Sequence, residues 1–281
     1  MKRTRALLGL FICLARLWAG PELAGGDGLA YVGAGGGAEP VFNPYSAIPP
    51  PPRDVIFYDA IVDELQSVYA AARPFKHVIA DGMFPPDLVR AVAAEYPYLD
   101  ENTATLPPGY SISHLRVQYN KIETSQIRPA TRFLMDHMKS RAFVNFLQKI
   151  TGIPALVPDP TDYGAGPHQI VRGGLLKIHL DFNFNERINL WRRVNVLFYL
   201  NEGWKEEWGG KLELWSADMQ AREGSVEPLF NRMVIFAATE QSFHGHPDPL
   251  QCPHNVTRKS VAMYYYTQKA EGEEAEGREG W

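Results

Sequence analysis

The sequence predicts a mainly β protein of the α+β class, in which helices come first and an antiparallel sandwich or barrel follows. Pro129 to Ile150 is predicted to form one or two helices, with Ser140 able to cap the second and Gly152 to end it. After Gly166 the chain changes to short runs of β-branched and aromatic residues, which are typical of strands, at 175–179, 194–200, 211–215, 233–237 and 260–267. The spacing of these runs favours antiparallel strands over alternating β-α-β units.

Further elements are predicted earlier in the chain. Apolar residues at helical spacing indicate a helix over 61–72, with Asp59 as its N-cap. A short strand is expected over Phe75 to Ile79, and a helix from Pro85 to Tyr96, because proline is tolerated in the first turn of a helix. Residues 100–119 are expected to form a loop.

One folded domain is predicted, flanked by an N-terminal and a C-terminal segment that are not expected to contribute to a hydrophobic core. Residues 1–53 are interpreted as a leader followed by a linker rich in Gly and Pro. The domain covers 54–268, with helical support over 54–165 and a β core over 166–268. Residues 269–281 are acidic and lack periodicity, as expected of a solvated tail.

The start of the chain resembles a signal or transit peptide. Lys2, Arg3 and Arg5 precede an apolar run from Ala6 to Ala15. This run is far shorter than the roughly 20 apolar residues that cross a bilayer, so no integral membrane span is predicted. If these residues are not a targeting segment, a cytoplasmic location is expected.

Composition and charge restrict the class of protein and its partners. Of the 281 residues, 45% are hydrophobic and 12% aromatic, which is ordinary for a globular protein with a sizeable core. Lys and Arg total 28 against 32 for Asp and Glu, so no basic field is available to bind nucleic acid. Cys13 and Cys252 are too few for a disulfide framework or a thiolate zinc site.

His179, Asp181 and His244 are the candidate metal ligands. His179 and Asp181 end the first run of the β-rich half, and the two-residue period of a strand places them on one face. His244 follows a later strand and is expected to return to the same mouth of the barrel, with His246 as its competitor. Two imidazoles and a carboxylate leave coordination positions open, a donor set that suits Fe(II).

Arg258 and Ser260 form a second candidate site, because they share one face of the last strand. A guanidinium can grip a carboxylate with two hydrogen bonds, and the hydroxyl adds a third. Together with the metal site, this face favours a ligand that chelates the metal at one end and presents a carboxylate at the other.

Two other readings of the same residues stay open at this point. A zinc hydrolase could use the same three ligands with a nearby general base, and would not need Arg258. A non-catalytic β scaffold could instead bind a partner through its tryptophans, which include Trp191, Trp204, Trp208 and Trp215.

Residues 75–267 resemble the prolyl 4-hydroxylase-like family of Fe(II)/2-oxoglutarate-dependent oxygenases. The resemblance is densest in a set of short motifs: Gly173-Gly174, His179-Leu180-Asp181-Phe182-Asn183, Val196-Leu197-Phe198-Tyr199-Leu200-Asn201, Trp204, Gly209-Gly210-Lys211-Leu212-Glu213-Leu214-Trp215, Pro228-Leu229-Phe230-Asn231-Arg232, His244-Gly245 and Arg258-Lys259-Ser260. It implies a double-stranded β-helix, or jelly roll, with iron bound by His179, Asp181 and His244. It also implies that 2-oxoglutarate is bound by Arg258, with Ser260 and Tyr199 as further contacts.

The resemblance implies a dioxygenase that couples decarboxylation of 2-oxoglutarate to succinate with hydroxylation of an unactivated C–H bond. The cofactors are then Fe(II), 2-oxoglutarate and O2, with ascorbate as an additional reductant. The expected partner is a protein, a peptide or a small-molecule substrate. Related halogenases lack the metal carboxylate, so Asp181 favours hydroxylation. Collagen-type members carry a tyrosine near Leu175-Leu176-Lys177. This departure weighs against peptidyl-proline, which stays among the candidate substrates together with other protein side chains and small metabolites.

Other polar residues near the metal motif are weaker candidates. Asn183 could orient the metal ligands, or it could be a turn residue. Lys177 could meet the substrate or point to solvent. Residues 191–193, Trp-Arg-Arg, could form a lid or a polar turn between two strands.

Overall fold

The structure, a computed structural model, describes residues 55–100, 102, 110–113, 116–119, 127–162 and 164–268. The predicted leader and linker over 1–53 and the predicted tail over 269–281 lie outside these residues. The helices are α1 (Val55–Ala71), α2 (Pro86–Ala94), α3 (Pro129–Lys139) and α4 (Arg141–Thr151), and a short 3-10 helix covers Glu206–Trp208. The strands are β1 (His77–Asp81), β2 (Tyr110–Ser113), β3 (Arg116–Tyr119), β4 (Val157–Pro158), β5 (Gly166–Ile170), β6 (Leu176–His179), β7 (Phe184–Asn185), β8 (Leu190–Tyr199), β9 (Leu212–Trp215), β10 (Arg222–Val226), β11 (Arg232–Ala237), β12 (His244–His246) and β13 (Arg258–Thr267).

The strands form two antiparallel sheets. The larger sheet has the order β1-β11-β8-β13-β5-β3-β2, with β4 added against β13 and β7 against β8. The smaller sheet has the order β10-β9-β12-β6. The two sheets enclose a cavity between their inner faces, as in a jelly roll. The predicted fold class is therefore confirmed.

The larger sheet separates two apolar layers because the side chains of each strand point alternately to its two faces. On β8, Val194, Val196 and Phe198 face outward and pack with the helices in the main core. Tyr199 faces inward and packs with residues of the smaller sheet, while Leu197 lines the cavity. The helices thus cover the outer face of the larger sheet and leave its inner face for the site.

The predicted pair of helices after Pro129 is present, with its predicted caps. The Ser140 hydroxyl accepts a hydrogen bond from the Phe143 amide at 3.3 Å, and Gly152 ends α4 with φ +72°. The start of α3 is capped by a side chain from elsewhere, since the Glu95 carboxylate accepts the backbone amides of Ala130 and Thr131 at 2.8 Å. This carboxylate connects the end of α2 to the start of α3.

Several predicted boundaries and one predicted loop are wrong. Helix α1 begins at Val55, so Asp59 lies inside the helix and is not its N-cap. The first strand runs over His77–Asp81 and not over Phe75 to Ile79, because Asp81 pairs with Arg232 of β11. The expected loop over 100–119 contains the β2–β3 hairpin.

Besides β2 and β3, five short strands of the described residues were not predicted: β4, β5, β7, β10 and β12. The sequence of β5 is Gly-Pro-His-Gln-Ile and that of β12 is His-Gly-His, so neither has the alternation that identifies a strand. Both are held in place by pairing to neighbours, β5 to β13 and β12 to β6 and β9. No helix of the described ranges is long and apolar enough to cross a membrane.

Candidate metal and cosubstrate site

The smaller sheet brings the three predicted metal ligands together. His179 is the last residue of β6, Asp181 lies two residues beyond it, and His244 begins β12. Because β6 and β12 are antiparallel neighbours, His179 and His244 are direct cross-strand partners, with ring centroids 4.6 Å apart. One ligand atom from each of the three residues lies within 4.8 Å of the others.

Each histidine presents its Nε2 atom to the cluster. His179 Nδ1 donates to the Lys177 carbonyl at 2.8 Å, and His244 Nδ1 donates to the Ser242 carbonyl at 2.8 Å. A carbonyl oxygen can only accept, so each Nδ1 carries a proton, and in the neutral ring Nε2 then keeps the lone pair that can bind a metal. The Nε2 atoms lie 3.6 Å and 3.5 Å from the Asp181 carboxylate oxygens. This donor set of two neutral nitrogens and a carboxylate oxygen fits Fe(II).

Protonation also favours a metal at this site. Burial lowers the pKa of His244 to about 4, so the ring is neutral at pH 7. Removal from water raises the pKa of Asp181, but the Arg192 guanidinium and the two imidazoles outweigh this effect and hold the pKa well below its ordinary value. Asp181 is therefore ionised at pH 7 and supplies the negative charge that a divalent cation requires.

The spacing between β6 and β12 depends on Gly245. A Cβ atom at this position would lie 2.7 Å from the carbonyl oxygens of Leu176 and Lys177 on β6. Side chains do not tolerate such a distance to backbone, so only glycine allows the two strands to approach as they do. The His179–His244 pairing therefore depends on the residue beside His244.

Arg258 occupies a buried position on the larger sheet, facing the same cavity. It is 4% exposed, its Nε donates to the Gly210 carbonyl at 2.8 Å, and its Nη2 donates to the Tyr199 hydroxyl at 3.1 Å. Among the described residues no carboxylate forms an ion pair with it. A buried guanidinium with neutral partners is suited to bind an anion that enters the cavity.

Tyr199 and Gly210 shape this position. Burial raises the pKa of Tyr199 despite the adjacent Arg258 charge, so the phenol is protonated and its oxygen accepts from the guanidinium. At Gly210, φ is +72° and a Cβ atom would lie 3.1 Å from Arg258 Cδ. Ser260 is buried on the same strand as Arg258, and both line the cavity.

One cavity contains both groups of residues. Its other lining residues are His168, Ile170, Leu176, Arg192, Asn195, Leu197, Leu212, Phe236, Gly245, His246 and Tyr264. The His179 and Asp181 side chains are 25% and 21% exposed, whereas His244 is 7% exposed. The metal cluster therefore opens to solvent on the side of His179 and Asp181.

The structure separates the two candidates for the distal ligand. His244 joins the cluster, while His246 lies one bulged step further along β12, opposite Leu176. His246 is the last residue of β12, and its buried side chain lines the cavity. The role of His244 as a ligand stays a prediction, now with a geometry that suits it.

Sequence reasoning missed two residues that contact Asp181. Arg192 Nη2 and Asn195 Nδ2 both donate to Asp181 Oδ2, at 2.9 Å and 2.7 Å. The weaker candidate Asn183 contributes its carbonyl, which accepts the Arg192 amide at 2.7 Å. Residues 191–193 are neither lid nor turn, because they belong to β8, and Trp191 and Arg192 are buried. Alternation back from Tyr199 could have identified Asn195 as inward-facing.

Residues 165–266 match the family model described as the 2OG-Fe(II) oxygenase superfamily. This part of the chain is a 2OG-Fe(II) oxygenase domain. The match spans β6, β8, β12 and β13 and so includes every predicted site residue. The cofactors of the oxygenase domain are Fe(II), 2-oxoglutarate and O2, as predicted, while a requirement for ascorbate stays a prediction.

Solved structures of prolyl hydroxylases are similar to this chain. A prolyl 4-hydroxylase structure from Phytophthora capsici has a TM-score of 0.51 and 21% identity, covering 75% of this chain and 65% of that one. A prolyl 4-hydroxylase from Pseudomonas putida has a TM-score of 0.48 and 20% identity, covering 73% and 100%. A prolyl hydroxylase from Trichoplax adhaerens, in complex with a hypoxia inducible factor peptide, has a TM-score of 0.48 and 16% identity, covering 75% and 90%. No curated protein sequence matches the chain significantly. The first of these similarities supports the jelly-roll fold of the oxygenase domain.

Proposed function

We propose that the chain is an Fe(II)/2-oxoglutarate-dependent hydroxylase that uses His179, Asp181 and His244 to hold the iron. The observation that carries the proposal is the convergence of these three ligand atoms within 4.8 Å, in the same cavity as the buried guanidinium of Arg258. The ligands and the guanidinium come from different sheets, so the fold presents two binding elements to one ligand. A molecule with a chelating end and a carboxylate end satisfies both.

The protein ligands hold the metal and leave room for its other partners. Two imidazoles and one carboxylate would hold the metal by three positions, and an Fe(II) ion bound there would have positions left for a bidentate oxoacid and O2. Bound Fe(II) with 2-oxoglutarate supplies the oxidising chemistry, and the protein orients the substrate. His179 and Asp181 lie on the solvent-accessible side of the cluster, so the substrate enters from that side.

Arg258 binds the far carboxylate of 2-oxoglutarate in this proposal. The Gly210 carbonyl and the Tyr199 phenol hold its guanidinium from two sides, and the Ser260 hydroxyl lies on the same strand face. The guanidinium is thus fixed before the ligand arrives, which lowers the entropic cost of binding.

Asp181 favours hydroxylation over halogenation, because a halide would need the coordination position that this carboxylate fills. The substrate in the proposal is a protein side chain or a small molecule with an unactivated C–H bond. We do not extend the proposal to peptidyl-proline, since Leu176 lines the cavity in the segment where collagen-type members carry a tyrosine.

The alternative functions are not favoured. A zinc hydrolase gives no role to a buried guanidinium opposite the metal ligands, and the family match over 165–266 supports an Fe(II) oxygenase instead. A scaffold that binds a partner through tryptophans is not supported either, because Trp191 and Trp204 are buried.

The test is anaerobic titration of the metal-free protein with Fe(II) and 2-oxoglutarate. We expect a weak charge-transfer band in the visible range from the chelate. Asp181→Ala should abolish both the band and the release of succinate. Arg258→Met should weaken 2-oxoglutarate binding about 10-fold or more, since a hydrogen bond to a charged group contributes about 1.5–3 kcal/mol.

The matched control is Arg222→Met, which removes an arginine of β10 that pairs with Glu213 outside the cavity. It should leave the band unchanged. No band in the wild-type protein, or full succinate release by Asp181→Ala, would refute the proposed function.

A further inference from the structure

A β-bulge in β8 turns Arg192 toward the metal site. Against β13, Tyr264 pairs with Asn195 and Tyr265 with Val194, but Tyr266 pairs with Arg192, so Arg193 is the extra residue of the bulge. In a regular strand Arg193 would face the cavity with Asn195, and Arg192 would face away. The bulge reverses this order, as bulges beside active sites often do.

The re-aimed side chain closes a ring of hydrogen bonds around one oxygen. Arg192 Nη2 and Asn195 Nδ2 both donate to Asp181 Oδ2, at 2.9 Å and 2.7 Å. Arg192 Nε also donates to Asn195 Oδ1 at 2.6 Å. Each of the three side chains is thus bonded to the other two, and the Asp181 carboxylate cannot rotate without breaking the ring.

Aromatic residues fix the guanidinium in its place. The Arg192 Cζ atom lies 3.5 Å from the ring centroid of Tyr264 and 5.1 Å from that of Phe182. The side chain is 2% exposed. Stacking and burial leave the guanidinium little freedom, so its direction toward Asp181 is set by the fold.

We infer that Arg192, assisted by Asn195, is a positioning residue that orients Asp181 so that Oδ1 is the oxygen presented to the metal. Oδ2 lies 3.5 Å from His244 Nε2 but already accepts two hydrogen bonds, whereas Oδ1 lies 3.6 Å from His179 Nε2 and accepts neither of them. The inference rests on the proposed function and adds to it a residue that acts through Asp181.

Whether the loss of Arg192 weakens or tightens metal binding distinguishes a positioning role from an effect of its charge. The guanidinium repels a divalent cation, so at a pH where Asp181 stays ionised in the variant, an effect of charge alone would tighten metal binding when the guanidinium is removed. If it orients the carboxylate, its removal weakens metal binding. Loss of such a partner behind a metal ligand typically costs about 10–100-fold in affinity.

The experiment measures Co(II) binding to the metal-free protein by its visible absorption. Arg192→Gln should bind Co(II) about 10–100-fold more weakly than the wild type, and its spectrum at saturation should differ because the carboxylate is no longer held. The matched control is Arg193→Gln, the bulge residue, whose guanidinium donates to Thr267 Oγ1. It should keep the wild-type affinity and spectrum.

A second variant keeps the test valid if Arg192→Gln does not fold. Asn195→Ala removes one of the two donors to Asp181 Oδ2 and should shift the Co(II) spectrum and affinity in the same direction. Unchanged or tighter Co(II) binding, with an unchanged spectrum, in whichever of these variants folds would overturn the inference while leaving the proposed function intact. Failure of the wild type itself to bind Co(II) would refute the proposed function, and the inference with it.

Discussion

At the scale of single residues, Gly210 is where the cosubstrate position is tightest. Its φ of +72° suits glycine, and a Cβ atom would lie 2.5 Å from Leu250 Cδ2 and 3.1 Å from Arg258 Cδ. Its carbonyl also accepts the hydrogen bond from Arg258 Nε. A side chain at this position must therefore displace the end of Leu250 and press on the Arg258 side chain that we assign to 2-oxoglutarate.

Gly210→Ala is expected to weaken 2-oxoglutarate binding while Co(II) binding is retained. We expect a loss of about 10-fold or more, because a displaced charged hydrogen bond costs about 1.5–3 kcal/mol. Isothermal titration of the metal-loaded protein with 2-oxoglutarate measures the effect.

Gly209→Ala is the matched control, since Gly209 has nearly the same φ, +71°, but has nothing within 4 Å of its Cβ position. It carries backbone strain without contact to Arg258, so its 2-oxoglutarate affinity should change much less. Equal losses in the two variants would mean that strain, and not the guanidinium, controls binding.

The residues that carry the chemistry could largely be predicted from sequence, whereas their supporting residues could not. His179 and Asp181 are one strand period apart, and Arg258 is two residues from Ser260, so local spacing was enough to place each pair. Arg192 was missed because the bulge at Arg193 breaks the alternation on which such a prediction depends. The bulge is a property of the pairing with β13, which no local pattern in β8 reveals.

At the scale of secondary structure, the short strand β12 has the strictest requirement for a particular residue. β12 has three residues, and it pairs with β6 on one side and β9 on the other. Gly245, its middle residue, fits directly against the β6 backbone. The position of His244 therefore depends on contacts between strands and not on the length of its own strand.

Gly245→Ala should separate β12 from β6 and weaken Co(II) binding, because the added Cβ meets two carbonyl oxygens at 2.7 Å. Backbone at that distance cannot yield as a flexible side chain would. The measurement is Co(II) affinity together with the thermal midpoint of the metal-free protein.

For comparison, Gly224→Ala changes a glycine of β10 in the same sheet, where the added Cβ would make ordinary contact with Leu214 at 3.5 Å. That variant should bind Co(II) as the wild type does. The prediction for Gly245 fails if both variants keep full affinity.

The long strands and the helices α3 and α4 could be predicted because their own sequences specify them. Val194 to Leu200 and Met233 to Ala237 are dense in β-branched and aromatic residues, and Ser140 and Gly152 mark the ends of α4. The sequence of β5 contains glycine, proline and polar residues, and its state is set by its neighbours β13 and β3. Tertiary pairing thus determines what local propensity leaves undefined.

At the scale of the whole molecule, a buried histidine in the helical layer makes the free energy of unfolding depend on pH. His137 of α3 lies between aromatic rings, with its centroid 5.5 Å from that of Phe84 and 6.3 Å from that of Phe143. Burial lowers its pKa, as burial does for His77. The rings of His137 and His77 are therefore protonated at a lower pH in the folded protein than in the unfolded chain.

The free energy of unfolding should therefore decrease as the pH falls below about 6.5, the ordinary pKa of histidine. Below that pH the unfolded state binds protons that the folded state binds only at lower pH, so the equilibrium moves toward unfolding. His137→Gln should reduce the slope of this decrease in urea titrations between pH 7 and pH 5. His77 and His244 also have lowered pKa values, so part of the slope should remain.

His254→Gln serves as the control, because His254 is exposed. It should leave the slope as it is in the wild type. A wild-type slope in His137→Gln would show that His137 does not contribute.

The cross-strand pairing of His179 with His244 has a practical consequence. Two of the three ligands belong to adjacent hydrogen-bonded strands, so their separation is maintained by the sheet and not by the ion they hold. Chelators should then strip the metal without unfolding the domain, and the emptied protein should accept a different divalent ion in its place. The oxygenase can accordingly be studied with inert or spectroscopic ions by simple exchange, without refolding.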